Sequence, residues 1–177
     1  MKISIVLIAL SLSFSVSTAQ TAKIEKIKNE LKEDIHDTTR ADAHRKLAYY
    51  YRSVNYDTAF FHAFKALEIS QATNDQKGEA AGLSRIGSTY MYRSGYDTAI
   101  IYHEKAIAVA REAGNRAQVA KFYSSLGLVY RYQAKYEKAV EYYRKAYFID
   151  KELGDRYGET YSTVSYTHLT LPTMLWV

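Results

Sequence analysis

The feature that most constrains this chain is a short motif that returns every 40 residues. It reads NYDTA at 55–59, GYDTA at 95–99 and KYEKA at 135–139. Other positions keep the interval. Ala66, Ala106 and Ala146 align, as do Tyr50, Tyr90 and Tyr130, and so do Asn74, Gly114 and Gly154. A fixed period of this length marks a stacked array, in which each supersecondary unit buries its apolar face against its neighbours.

Each unit reads as two helices. In the second, Leu83, Ile86, Gly87 and Tyr90 fall at helical spacing, Ser94-Gly95 makes a turn, and Ala99, Tyr102, Ala106, Ile107 and Ala110 form another apolar stripe. Small residues at Gly87, Ala99 and Ala106 let the two helices approach closely, and tyrosines fill the space beside them. Asn74, Gly114 and Gly154 suit a left-handed C-cap. Asp75, Asn115 and Asp155 behind them can accept hydrogen bonds from the first N–H groups of the next helix.

The run Ile86-Gly87, Tyr90, Ala99, Tyr102, Ala106 resembles the tetratricopeptide repeat (TPR) family, and Leu126-Gly127, Tyr130, Ala139, Tyr143, Ala146 repeats the pattern. The 40-residue period is longer than that family's usual one and resembles its extended variants. The first unit departs from the pattern, since Leu47-Ala48 and Tyr51 match only with a turn before Tyr56 one residue shorter. His103 stands where an aromatic is usual. The resemblance implies an all-α fold, a right-handed solenoid of antiparallel helix pairs. The array is expected over 38–162, as units at about 38–74, 75–114 and 115–154 and a partial one at 155–162. Ahead of it, a helix within 20–37 carries Ile24, Ile27, Leu31 and Ile35 on one stripe and should cap the first unit.

Residues 1–19 read as a signal peptide. Met1-Lys2 give a positive start, ISIVLIALSLSF an apolar run too short to span a bilayer, and Ser17-Thr18-Ala19 a cleavage site before Gln20. The chain is therefore expected to be exported, to a periplasm, with no membrane insertion by the mature part. It has no cysteine, so packing alone must stabilise it. The net charge of +5 comes from Lys and Arg interleaved with Asp and Glu, which describes a solvated helical surface rather than a nucleic-acid footprint.

No catalytic, cofactor-binding or metal-binding constellation emerges. His103-Glu104 opens like a zinc-protease motif, but Ile107 stands where the second histidine must be. His62 and His103 could share a metal only if stacking aligned them, and they read better as polar residues between helices. The TPR resemblance implies that the first helix of each unit lines a concave groove. Its groove positions fall on Arg45, Tyr49 and Arg52, then on Ser84, Ser88, Met91 and Tyr92, then on Lys121, Ser124, Leu128, Arg131 and Tyr132. These cations and aromatics suit a protein or peptide segment, an acidic one in particular. The Asn and Lys set of the family's clamp for C-terminal carboxylates is missing.

The ending is unlike everything before it. VSYTHLTLPT resembles the in-frame translation of a transposase-derived sequencing adaptor, so 163–177 is expected to be non-native and the repeat pattern to stop near Ser162. On that reading the second helix of the third unit, about 136–153, lacks a full cover, and Ala139, Tyr143, Ala146 and Tyr147 should be partly exposed. Exported arrays resembling this one, with DTTR at 37–40, often precede a membrane helix and a histidine kinase or LuxR-type regulator. The expected role is thus the extracytoplasmic sensory or scaffold part of a truncated signal-transduction protein, with any catalytic domain and membrane anchor in the missing portion. The alternative is a free-standing periplasmic adaptor for envelope assembly.

Overall fold

The computed structural model describes residues 20–174, so the expected signal peptide and residues 175–177 lie outside the described residues. Helix α1 spans 20–30. It is followed by α2 (Asp37–Tyr51), α3 (Tyr56–Ala72), α4 (Gln76–Tyr92), α5 (Tyr96–Glu112), α6 (Arg116–Tyr132), α7 (Tyr136–Leu153) and α8 (Arg156–Met174). Antiparallel pairs α2–α3, α4–α5 and α6–α7 stack in chain order, and α8 packs on α7 as the first helix of a fourth pair. The architecture is an all-α solenoid.

The backbone repeats more often than the sequence does. Helices begin at 56, 76, 96, 116, 136 and 156, every 20 residues. Each joint from α3 onward is the same turn. Asn74, Ser94, Gly114, Ala134 and Gly154 all take positive φ, from 54° to 69°. Beside each, the following N–H reaches back five residues, as in Gly95 N to Tyr90 O at 2.8 Å and Lys135 N to Tyr130 O at 2.9 Å. The left-handed residue itself bonds one carbonyl further on, as in Ala134 N to Arg131 O at 3.0 Å. This double bond is the Schellman motif, which satisfies carbonyls that would otherwise end the helix unpaired. It holds Ser94 and Ala134 in a conformation that costs a non-glycine residue about 1–2 kcal/mol. Side-chain caps then start most helices: Asn55 on Thr58 N, Asp75 on Gly78 N, Asn115 on Gln118 N and Asp155 on Gly158 N, at 2.9–3.1 Å. Each such cap contributes about 1 kcal/mol.

Within a pair, facing residues trade size. Ala48 of α2 packs near Ala63 of α3. Gly87 of α4 faces His103 of α5, where an added Cβ would lie 3.1 Å from the imidazole and from Ala99 O. Gly127 of α6 receives the ring of Tyr143 in α7, which an added Cβ would meet at 2.9 Å. Residues 63, 103 and 143 are equivalent, so the growing side chain is matched by a shrinking partner. A stacked ring pair sits beside each contact: Tyr51 with His62, Tyr90 with Tyr102 and Tyr130 with Tyr142, at interplanar angles of 14°, 14° and 12°. In the first pair it is Tyr51 and Ala48 that hold these places, which sets α2 one residue out of the strict 40-residue register. Tyr50 turns instead to α1, where it packs with Ile27, Ala43 and Leu47. Helix α1 ends at 30, so Leu31 follows it directly and Ile35 lies well beyond it.

The far end corrects an expectation. Ala139 and Ala146 are fully buried and Tyr143 nearly so, with only Tyr147 half-exposed. The helix α7 is flanked by α6, whose Tyr130 clusters with Ala139 and Tyr143, and by α8, which runs to Met174 and buries Ser162 at the contact.

Candidate functional site

The inner face of the array follows from which helices touch. Among the described residues α2 meets α4, α4 meets α6, and α6 meets α8, whereas α3, α5 and α7 do not meet one another. The first helices are therefore crowded on the inside of the curve and the second helices splay outside. The groove-lining residues must come from α2, α4, α6 and α8.

The densest chemistry on that face lies between α2 and α4. Arg45, Tyr49 and Arg52 project from α2 at intervals of one helical turn. The guanidinium carbon of Arg52 lies 3.5 Å from the Tyr49 ring centroid and 4.8 Å from that of Tyr92, a cation–π sandwich, while its Nη1 donates to Tyr49 O at 2.7 Å. Arg85, from α4, adds its guanidinium 5.2 Å from the same Tyr49 ring. Arg45 Nη2 reaches Asp42 Oδ1 at 3.3 Å, and Lys46 Nζ reaches the other oxygen at 2.7 Å. Asp42 is thus one carboxylate among four cations. Two N–H groups remain unsatisfied and buried, Arg45 Nη1 and Arg85 Nε. The crowding has an electrostatic signature. Burial, and next the charge of Arg52, push the Arg85 pKa down to about 10, and contact with Arg52 lowers that of the Tyr49 phenol.

Under this cluster, Ser84 Oγ lies 3.3 Å from His103 Nδ1, whose Nε2 has no partner. His103 is completely buried, and burial drives its pKa down to about 3. His62 pairs with His44 rather than with His103, Nδ1 to Nδ1 at 2.8 Å. No group of three or more His, Cys, Asp or Glu residues among the described residues could hold a metal ion. No described helix is long and apolar enough to cross a membrane.

A second stretch of the inner face lies between α6 and α8. Lys121, Ser124 and Leu128 line it with Tyr157, Tyr161 and Asp150. Tyr157 is the most exposed large hydrophobic side chain among the described residues, at 83%. Asp150 is buried, with Ser162 Oγ donating to it at 3.4 Å, and burial and then Asp155 raise its pKa.

The residues expected in the groove therefore divide. Arg45, Tyr49, Arg52 and Tyr92 gather at one place, with Ser88 nearby on α4 donating its hydroxyl proton to Ser84 O. Lys121, Ser124 and Leu128 gather at another. Arg131 and Tyr132 sit exposed at the end of α6, where Tyr132 stacks on Tyr96. Ser84 and Met91 do not reach the groove: Ser84 is turned to His103, and Met91 packs in a cluster with Ala99 and Val129. Arg85 is the residue that counting from the glycine position missed, because it lies one place beyond Ser84 and owes its prominence to Tyr49 on the neighbouring helix.

Comparison with known proteins gives a family match over part of the chain. Residues 78–152 match the tetratricopeptide repeat family. No curated protein matches the sequence. Among solved structures, a Rap protein complexed with competence and sporulation factor superposes at a TM-score of 0.78 with 16% identity, covering 93% of this chain and 47% of that one. Aspartyl phosphate phosphatase F from Bacillus subtilis gives 0.72 and 19%, covering 90% and 43%. The Rap conjugation gene regulator of plasmid pLS20, in complex with the Phr* peptide, gives 0.66 and 19%, covering 94% and 52%. The chain spans about half the length of these structures, and at such identities the likeness is one of fold.

Proposed function

From tetratricopeptide repeats at residues 78–152 we infer that the chain works by holding another polypeptide along its inner face. The observation that carries this reading is the continuous inner surface of α2, α4, α6 and α8, on which basic and aromatic side chains cluster at two places. A neighbour of the same fold was solved with a peptide bound, which supports the mode of binding but not the identity of any ligand. Stacked helix pairs keep such a surface rigid, so a bound segment loses entropy while the receptor loses little. The signal-peptide pattern of residues 1–19 adds that the module is exported, and we take its role to be the extracytoplasmic sensory or scaffold part of a larger signalling protein.

Two measurements test this. Residues 1–40 fused to a phosphatase that is active only outside the cytoplasm should give activity, and loss of that activity on placing Asp in the apolar run should follow. Peptides selected from a random phage library on the full chain should compete with one another and lose binding when Tyr49 and Tyr157 are changed to Ala. Selected peptides indifferent to both changes would remove the groove from the mechanism.

A further inference from the structure

In the first pair two departures from the repeat meet each other. Helix α2 runs one residue out of register, so His44 takes the place that Leu83 and Tyr123 hold in α4 and α6. His62 of α3 takes the place of Tyr102 and Tyr142. In the later pairs these places make apolar contacts: Leu83 and Tyr102 share one cluster, and the ring centroids of Tyr123 and Tyr142 lie 5.9 Å apart. The fold asks only for hydrophobic packing here, and packing does not call for a histidine at both places.

The two imidazoles meet end to end. Their Nδ1 atoms are 2.8 Å apart and their ring centroids 5.0 Å apart. Centroids so far apart for nitrogens so close mean that each Nδ1 points at the other, rather than the rings lying side by side. One proton between them makes a hydrogen bond, with one ring in the Nδ1–H tautomer and the other accepting. Neighbouring rings hold the pair in place: Tyr51 lies nearly parallel to His62, at 14°, and Phe61 meets it edge-on.

We propose that His44 and His62 form a two-coordinate site for a soft, singly charged metal ion, copper(I) or its analogue silver(I), held in line between the two Nδ1 atoms. The site lies between α2 and α3 within one repeat, so it stands independently of the groove reading.

The geometry and the surrounding charges select this ion. An end-on approach suits linear coordination, whereas a zinc tetrahedron would need further protein ligands. No third His, Cys, Asp or Glu joins the pair among the described residues. The charges nearby are cationic: Lys65 and Arg40 act on His44 and Lys28 acts on His62, and no carboxylate is among the charges that shift either ring. A divalent ion would meet twice the repulsion that a monovalent one does. Burial above all, and then neighbouring charges, keep both rings neutral at neutral pH, with His62 lowered to about 4, and the neutral ring is the form that binds metal. Entry of the ion releases no net proton. The ring that carried Nδ1–H carries Nε2–H afterwards, and both Nδ1 lone pairs then face the metal. A metal–imidazole bond is about 2 Å long, so the nitrogens must part by about 1 Å to admit the ion. Both side chains are only half-buried, which leaves them a solvent side to move towards.

The test titrates the full chain with silver(I) nitrate in chloride-free buffer, and with copper(I) under anaerobic conditions, while NMR follows the imidazole nitrogens. Each ion should bind one to one, shift the His44 and His62 Nδ1 signals saturably and leave those of His36 and His103 in place. X-ray absorption of the copper(I) complex should show two nitrogen neighbours. His62→Gln should abolish the saturable shift of His44. The double variant His44→Leu/His62→Tyr installs the residues of the second pair and so keeps the packing. It should lose one-to-one binding, and it serves if the single variant does not fold. Zinc(II) at the same concentration should leave both signals unmoved. Silver bound as tightly by the double variant as by the parent would overturn the site. Three or four light-atom neighbours around copper, or zinc bound as tightly as silver, would overturn the two-coordinate, singly charged assignment.

Discussion

Replacing His103 by glutamine should flatten the acid side of the unfolding profile. The imidazole is fully buried against Gly87, and burial lowers its pKa to about 3. In the unfolded chain it returns to its ordinary value of 6.5. Between those two values the unfolded chain binds a proton that the folded chain refuses. Stability therefore falls as pH drops from about 6.5 towards about 3 and is independent of this group above that window. At 1.36 kcal/mol for each pKa unit, the loss from about pH 7.5 to about pH 5 is about 2 kcal/mol from His103 alone. That is a substantial part of the roughly 5–15 kcal/mol that holds an ordinary domain folded. Urea unfolding followed by circular dichroism at both pH values, on the parent and on His103→Gln, measures it. Glutamine can keep a polar contact with Ser84 but cannot titrate. His44 and His62, whose pKa values are also lowered chiefly by burial, act in the same direction in both proteins and cancel in the comparison. The parent should lose about 2 kcal/mol more than the variant. Equal losses would refute the reasoning, because they would mean that His103 accepts a proton while the protein stays folded.

Four further substitutions probe the joints and the interior. Ala134→Gly should raise the thermal midpoint, since glycine relieves a left-handed residue at φ 56°, while Gly114→Ala should lower it by about 1 kcal/mol equivalent. The same sign for both would contradict the turn assignment. Gly127→Ala should destabilise by about 1–3 kcal/mol despite the better helix propensity of alanine, because its Cβ would come within 2.9 Å of the buried ring of Tyr143 and force it to shift. Asn115→Ala removes the cap on Gln118 N and should cost about 1 kcal/mol, read as a lower urea midpoint at unchanged slope.

What the sequence disclosed and what it hid follow from the same physics. The 40-residue period was legible because side chains at 59, 99 and 139 or at 66, 106 and 146 must suit the same neighbours in every pair. The 20-residue turn was not. Gly114 and Asn74 announce a left-handed residue, but Ser94 and Ala134 do not, and only the two backbone bonds of the turn reveal why they are tolerated there. The shift of α2 was half legible, in the alternative alignment of Ala48 and Tyr51, and the stacked pair with His62 selects it. At the site, Arg45, Tyr49 and Arg52 could be read from one helix. Arg85 could not, since its contact is with a residue 36 positions earlier on another helix. Counting along the chain also cannot tell that Met91 rolls beneath Ala99 and Val129 instead of facing the groove. At the far end the expected exposure of Ala139, Tyr143 and Ala146 was misjudged because a full helix pair was thought necessary to cover them, whereas α6 and the single helix α8 flank α7.

The identity of every joint from α3 onward has a genetic consequence. To the backbone, a slip of 20 residues between misaligned copies would be silent, since one Schellman turn would simply replace another. To the side chains it would be ruinous, because a helix meant for the outer layer would arrive on the inner one, bringing Tyr147 to where Gly127 must be. Unequal recombination can thus lengthen or shorten such an array only by steps of two helices. Only a 40-residue copy restores both the joints and the faces.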